Sequence, residues 1–587
     1  MAEIWRRDWW KITAGALALA VSASPGLSNT AGRDAAFVKA RAALARGDGV
    51  AAEIALKDAQ AQGADKRTIA AGMGEAFLVE GKLDKAREWL GAGQFADADQ
   101  TRGLRMLSRL ESQQGNTAAA LAALEKAIAA NAKDADALVD LAQLRYRTGN
   151  QFAALDALQS ALKMRPDNLR ALDFQGLIVR DQFGPEAAII WFERGLMKSP
   201  NDGVLLGDYA ATLGELGRYR EMLVVTRRML ELGVGEPRAH YLQAVLAGRA
   251  GNLSLARSCL NRAGAAADDM PSAALLSGII HLQDGNPKLA VDAFQRITGQ
   301  QPQNEVAHLL LARALYEAGD QKGVIERYSA WASSPSAPPY LLTLVARAYE
   351  DTGNRALAAP LLDRAAAVQQ AGLRPVFAFA ATGSAPADAA AAQVRAALAG
   401  GRANEAVAIA ERLRGDWRGM GSAHLLAGDA YFAAGRFDLA ASAFAEAARV
   451  RGDDNLAVRL VLANAGQGRL APGAQVAANF LATHPQSPVG ARLAADYAAS
   501  VGDWGRARML LENLAVGSGD RDMRLLSDLS FAQLRLGDTK AAVQSARRAL
   551  DIQPASPVAA QALAMALKAG KQDEALAAAL SARAARP

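Results

Sequence analysis

The 587-residue chain holds a single cysteine, Cys259, which excludes an internal disulfide. Aromatic residues make up only 6% against a hydrophobic content of 51%, a balance that suits thin layers of paired helices packed with Ala and Leu. Past the N-terminus no uninterrupted apolar run approaches the length of a membrane span, and no C-terminal β-rich segment reads as an outer-membrane barrel. No block of Lys or Arg is present: 66 basic residues face 60 acidic ones, and the net charge of +6 is too small to imply a nucleic-acid partner. The chain also lacks a phosphate-binding Gly-x-x-x-x-Gly-Lys loop, a dinucleotide fingerprint after a strand, an EF-hand loop, a His-Glu-x-x-His pair and a Cys-x-x-Cys pair. No cofactor, metal or catalytic residue is therefore expected, and the chain reads as a non-enzyme.

The first residues stand apart. Arg6, Arg7 and Lys11 precede an apolar run of ten residues, Ile12 to Val21, and Val21-Ser22-Ala23 offers small residues at the sites a signal peptidase reads. Such a run reaches only about 15 Å as a helix, too short for a bilayer. Residues 1–23 read as a secretory signal and 24–32 as a short leader, which places the mature protein in the periplasm. Trp5, Trp9 and Trp10 leave open the alternative of a retained anchor at the inner membrane, the one route to membrane contact.

What is abundant is glycine at a fixed interval. Gly47, Gly81, Gly115 and Gly149 are spaced by 34, as are Gly217, Gly251, Gly285, Gly319 and Gly353. Most precede Asn, Asp, Lys or Arg, the punctuation of a helix end, because glycine accepts the left-handed conformation that lets the chain turn. Such a period predicts a repeat array, and the period accounts for the many glycines.

Residues 134–167, DADALVDLAQLRYRTGNQFAALDALQSALKMRPD, are the clearest unit. A first helix carries Leu138, Leu141, Ala142, Leu144 and Tyr146 at spacings near three and four. Gly149-Asn150 turns the chain. A second helix carries Phe152, Leu155, Leu158, Ala161 and Leu162, and Pro166 ends it. Neither helix hides its stripe alone, so neighbouring units must complete the core.

Other positions recur when counted from the turn glycine. Five residues on stand Ala52, Ala86, Ala120, Ala154, Ala256, Ala290 and Ala358; twelve on, Ala59, Ala127, Ala161, Ala263 and Ala365. Seventeen on are Pro166, Pro302, Pro485 and Pro554, and seven back are Gly74, Gly176, Gly278 and Gly428. Together these resemble the tetratricopeptide repeat, a helix–turn–helix unit of 34 residues, over residues 33 to 585. The resemblance implies an all-α solenoid, a right-handed superhelix of about sixteen units, whose first helices line a concave groove that holds extended peptides or other partners.

The register loosens in places. Phe183 stands where a glycine is due, with Gly184 and Pro185 forming an altered turn, and Ser334 to Pro339 lengthen one junction. After Gly353 the next turn is Gly401, so an irregular insertion, loop or hinge, is expected at 373–386. It separates an N-terminal block at 33–372, about ten repeats, from a C-terminal block at 387–587, about six, with turns at Gly401, Gly435, Gly468, Gly502, Gly537 and Gly570.

The five histidines do not cluster. His240, His308 and His424 share one position, eleven before a turn glycine, and read as structural. On the groove that the resemblance implies, the inward positions carry Arg102, Arg105 and Arg109, then Tyr146 and Arg147, Arg170 and Arg180, Tyr241 and Arg249, Arg313 and Tyr316, and Arg347. Arginine forks suit carboxylates and phosphates, and tyrosine stacks on sugars or peptide side chains. The expected function is a scaffold of the bacterial cell envelope whose groove takes a protein or peptide, with an anionic polysaccharide as a further candidate and exopolysaccharide secretion as the guessed setting. An inner-membrane-anchored or cytoplasmic adaptor is the alternative, and an enzyme with dispersed catalytic residues a lesser one.

Overall fold

The computed structural model describes residues 25–264, 270–302, 304–334, 337–366, 385–516, 522–554 and 556–585. The signal-like segment and nearly all of the 373–386 insertion lie outside them; the last two residues of that insertion begin the helix Ala385–Ala399. Among the described residues there are α-helices, one 3-10 turn at Asp97–Asp99 and no strand. The helices form about sixteen tandem pairs. The first begins at Pro25, so the leader is already helical there.

The pair Ala135–Arg147 and Gln151–Met164 shows how the sequence dictates the unit. Leu141, Ala142 and Leu144 are buried as their spacing predicts, and Leu158 and Ala161 are fully buried on the second helix. Ala135, Ala137 and Val139 are also fully buried. The inner side of this first helix therefore belongs partly to the core as well.

The turn glycines from Gly47 to Gly537 take positive φ, including the displaced Gly184 at 88°. The last turn departs from this. Gly570 caps its helix at φ −80°, and Lys571 enters the left-handed region at φ 52°.

Small residues at fixed positions match large ones on the partner helix. A Cβ added to Gly278 would lie 2.5 Å from the Phe294 ring, and one on Gly176 2.6 Å from Phe192. Gly74 faces Leu90 and Gly428 faces Phe444 in the same way. Leu90, Phe294 and Phe444 fall nine positions after their turn glycines and Phe192 eight after the displaced Gly184, and all four are fully buried. The missing side chain on one helix is the space the ring fills, which fixes the crossing of the pair.

The chain divides into two compact units, residues 1–137 and 138–587. The first holds a continuous core through Leu56, Ile69, Phe77, Leu90 and Leu110. The second holds a run of apolar clusters, one per few helices, such as those around Phe294 and Tyr328 and around Phe444.

Candidate partner-binding face

The first helices of successive repeats lie beside one another, and charged side chains on them pair across the gap. Within the first unit, Arg102 Nε donates to Glu75 Oε2 at 2.9 Å. Within the second, Arg170 pairs with Asp140, Arg238 Nη2 lies 2.6 Å from Asp208 Oδ1, and Arg459 Nε lies 2.7 Å from Asp429 Oδ1. Arg492 reaches forward to Asp528 in the same manner. Partners separated by roughly one repeat in sequence are thereby held on adjacent first helices. The Arg459–Asp429 pair is bidentate and almost wholly buried, at 4% and 3% side-chain exposure. Breaking one member would strand the other charge in the core.

A carboxyl pair stands beside one of these bridges. Asp173, on the helix Leu169–Phe183, is buried near Asp208 on the helix Gly203–Glu215, and its Oδ1 has no hydrogen-bond partner. Burial, then the charge of Asp208, pushes Asp173 up to about 7, against the smaller opposing pull of Arg238. A buried carboxyl beside a second carboxylate ionises at a cost, so Asp173 keeps its proton to higher pH than a free aspartate.

The residues expected on the groove meet varied surroundings. Arg105 is half-buried and Arg109 exposed on the helix Gln100–Gln113, which also carries Arg102. These three belong to the first unit; Tyr146 and Arg147 belong to the second. Tyr146 packs edge-on against Phe174 at 5.7 Å, and burial pushes its hydroxyl up to about 12. Arg147 is exposed. Arg180 lies 3.8 Å from Asp181 and 3.9 Å from Glu215, two carboxyls that burial raises. Tyr241 is partly buried in the apolar packing of its helix pair. Arg249 donates to the Tyr219 hydroxyl at 2.7 Å and covers its ring. Arg313 pairs with Glu317 and Arg347 with Glu350, each along its own helix. Tyr316 is raised by burial and by a hydrogen bond to Asp351. The face is thus charge-balanced: most of its arginines have a carboxylate partner within the chain.

Reasoning from sequence missed the buried Asp208, Asp429 and Arg459. The available signal was an acid on one first helix and an arginine about thirty residues on, repeated along the chain.

The histidines sit in the scaffold. His308 Nε2 lies 3.1 Å from the Pro302 carbonyl and His424 Nε2 3.0 Å from the Arg418 carbonyl, each six residues back. Both rings tie a first helix to the loop before it. His484 stacks on Phe480 at 4.3 Å, and burial lowers it. Cys259 is buried and raised by desolvation, the reverse of an activated thiol. Among the described residues no group of three His, Cys, Asp or Glu is placed to hold a metal ion, and no helix is long and apolar enough to cross a membrane.

Three stretches of the chain, residues 105–168, 241–305 and 391–457, match the tetratricopeptide repeat model. Those stretches carry tetratricopeptide repeats, and the described residues on either side of them continue in the same kind of helix pair. No protein of curated function matches it. Among solved structures it is similar to Cut9 with Hcn1 of the APC/C, at 12% identity over 96% of this chain and 98% of that one, TM-score 0.40. It is also similar to PilW, described as a widely conserved type IV pilus biogenesis factor, at 17% identity over 37% of this chain and 98% of that one, TM-score 0.31. PilF of Pseudomonas aeruginosa is 18% identical over 36% of this chain and 96% of that one, TM-score 0.30. Similarity at this level assigns no function.

Proposed function

We propose that the protein is an exported interaction scaffold that holds a protein or peptide segment on the face formed by its first helices. The observation that supports this is the set of ion pairs between successive first helices, Arg102 to Glu75 in the first unit and Arg170 to Asp140, Arg238 to Asp208 and Arg459 to Asp429 in the second. A peptide of mixed charge suits such a balanced face better than an anionic polysaccharide, since most of the arginines already have carboxylates beside them. Placement in the cell envelope rests on Arg6, Arg7, Lys11 and the short apolar run that follows.

The test of the face is capture from envelope extracts with wild type and with the double variant Arg105→Glu, Arg109→Glu. A partner of the first unit is weakened by the variant, and the difference shrinks as salt rises. Equal capture by both proteins takes this helix out of the site. The test of export is N-terminal sequencing of the envelope form, which begins near Ser24 if the signal is cleaved. Intact Trp5, Trp9 and Trp10 on a membrane-bound protein would establish the anchor instead.

A further inference from the structure

Among the glycines outside the 34-residue register, Gly419 and Gly452 sit in loops between repeats and Gly421 opens the helix Gly421–Ala433. They correct the expectation that the period explains the glycines. All three touch chain far away in sequence. The Gly419 carbonyl accepts the amides of Gln151 and Phe152 at 3.0 and 3.2 Å. The Gly421 amide donates to Gln151 Oε1 at 2.9 Å, across 270 residues. The Gly452 amide donates to the Asp181 carbonyl at 2.7 Å, and Gln182 Nε2 donates to the Arg449 carbonyl across 267 residues.

The contacts recur with one offset. The turns at 149–152, 181–184 and 217 meet the inter-repeat loops at 417–421, 449–452 and 483–486, roughly eight repeats on. Phe152 stacks on His424 at 5.7 Å, and the Arg449 guanidinium, from the next loop, lies 4.0 Å from the centroid of the same ring. A Cβ on Gly184 would lie 2.4 Å from the Thr483 carbonyl oxygen, a backbone approach, and one on Gly149 2.6 Å from the Met420 side-chain methyl. All these residues lie within the second unit.

The amides of Gln151 and Phe152 open a helix, where no intrahelical acceptor exists. Their N-cap, Asn150, makes no side-chain cap bond. The acceptor they need is supplied by Gly419 instead. We infer that the second unit closes on itself along this seam, and that the seam is a latch: closed, it fixes the pitch of the repeats between its two edges; open, it lets them extend with every helix pair intact. The inference stands apart from what the first-helix face binds.

Gly452→Ala separates the latch from the repeats. Gly452 does not require positive φ, and the atoms its Cβ would meet, nearest the Gln182 carbonyl oxygen at 2.5 Å, all belong to Gln182 and Asp181 across the seam. Hydrogen exchange on the full-length wild type is expected to show protection at Gln151, Phe152 and Gly452. In the variant, exchange at 150–153 and 449–453 should quicken by about tenfold or more, with a larger radius of gyration in solution scattering and unchanged helical circular dichroism. If Gly452→Ala loses helix, Phe152→Ala, which removes the ring that His424 and Arg449 both meet, is read in the same way. Unprotected amides at Gln151 and Phe152 in folded wild type, or exchange and scattering unchanged in the folded variant, would overturn the latch.

Discussion

Lys571 occupies a left-handed backbone conformation, φ 52°, that every earlier turn from Gly47 to Gly537 gives to glycine. A side chain there strains against the neighbouring carbonyl by about 1–2 kcal/mol. Lys571→Gly is accordingly expected to stabilise the last helix pair by about 1 kcal/mol, less what the looser unfolded chain takes back. Slower hydrogen exchange in Pro557–Ala569 would show it, and faster exchange would count against it. The converse holds at Gly278, whose missing side chain is the space occupied by the Phe294 ring. Gly278→Ala should cost about 1–3 kcal/mol through overpacking, with part recovered when Phe294 is shortened to Leu. Equal stability of wild type and the single variant in local exchange would mean that the ring moves freely.

Between elements, packing and charge act together. Leu141 is 4% exposed on its first helix, and Leu141→Ala should cost about 2–5 kcal/mol, measured by local hydrogen exchange because a repeat array need not unfold as two states. A loss below about 0.5 kcal/mol would contradict this burial. The Asp173–Asp208 pair predicts a pH effect. Asp173 is raised in the folded state, with Asp208 and Asp202 adding to burial and Arg238 opposing. The folded protein therefore binds the proton more tightly than the unfolded chain, whose Asp titrates near 3.9. This stability is fully present below about pH 4, declines as pH rises, and is lost above about 7. Asp173→Asn removes the titrating carboxyl. Chemical-denaturation profiles of the variant should be flatter than wild type across that window; parallel profiles would show that Asp173 is not raised.

At the scale of the whole molecule, stacking is nearest-neighbour and the seam is not. Removing one complete repeat, residues 286–319, joins Gly285 to Asp320 and restores a Gly-Asp turn. Each remaining pair keeps a neighbour on both sides, so helicity per residue should hold. The two edges of the seam, however, shift by one repeat relative to each other. Protection of the Gln151 and Phe152 amides should then vanish, while amides inside the helices keep theirs. Retained protection at Gln151 would show that its acceptor is not set by the number of repeats.

The sequence by itself determined the helix pairs, their turns and their small-against-large packing, because these depend on residues within one repeat or the next. The turn at Gly184, the buried alanines and the scaffold positions of His308 and His424 were legible for that reason. The expected groove was legible only as positions. Whether Arg102, Arg170, Arg313 or Arg347 faces a partner or a carboxylate of its own chain depends on side-chain reach across helices, which spacing does not specify. Tertiary structure alone decided the burial of the Arg459–Asp429 bridge, the raised Asp173 and the seam at Gly419 and Gly452. A small rotation at each repeat, too small to leave a mark in any one of them, accumulates over roughly eight units until distant loops meet.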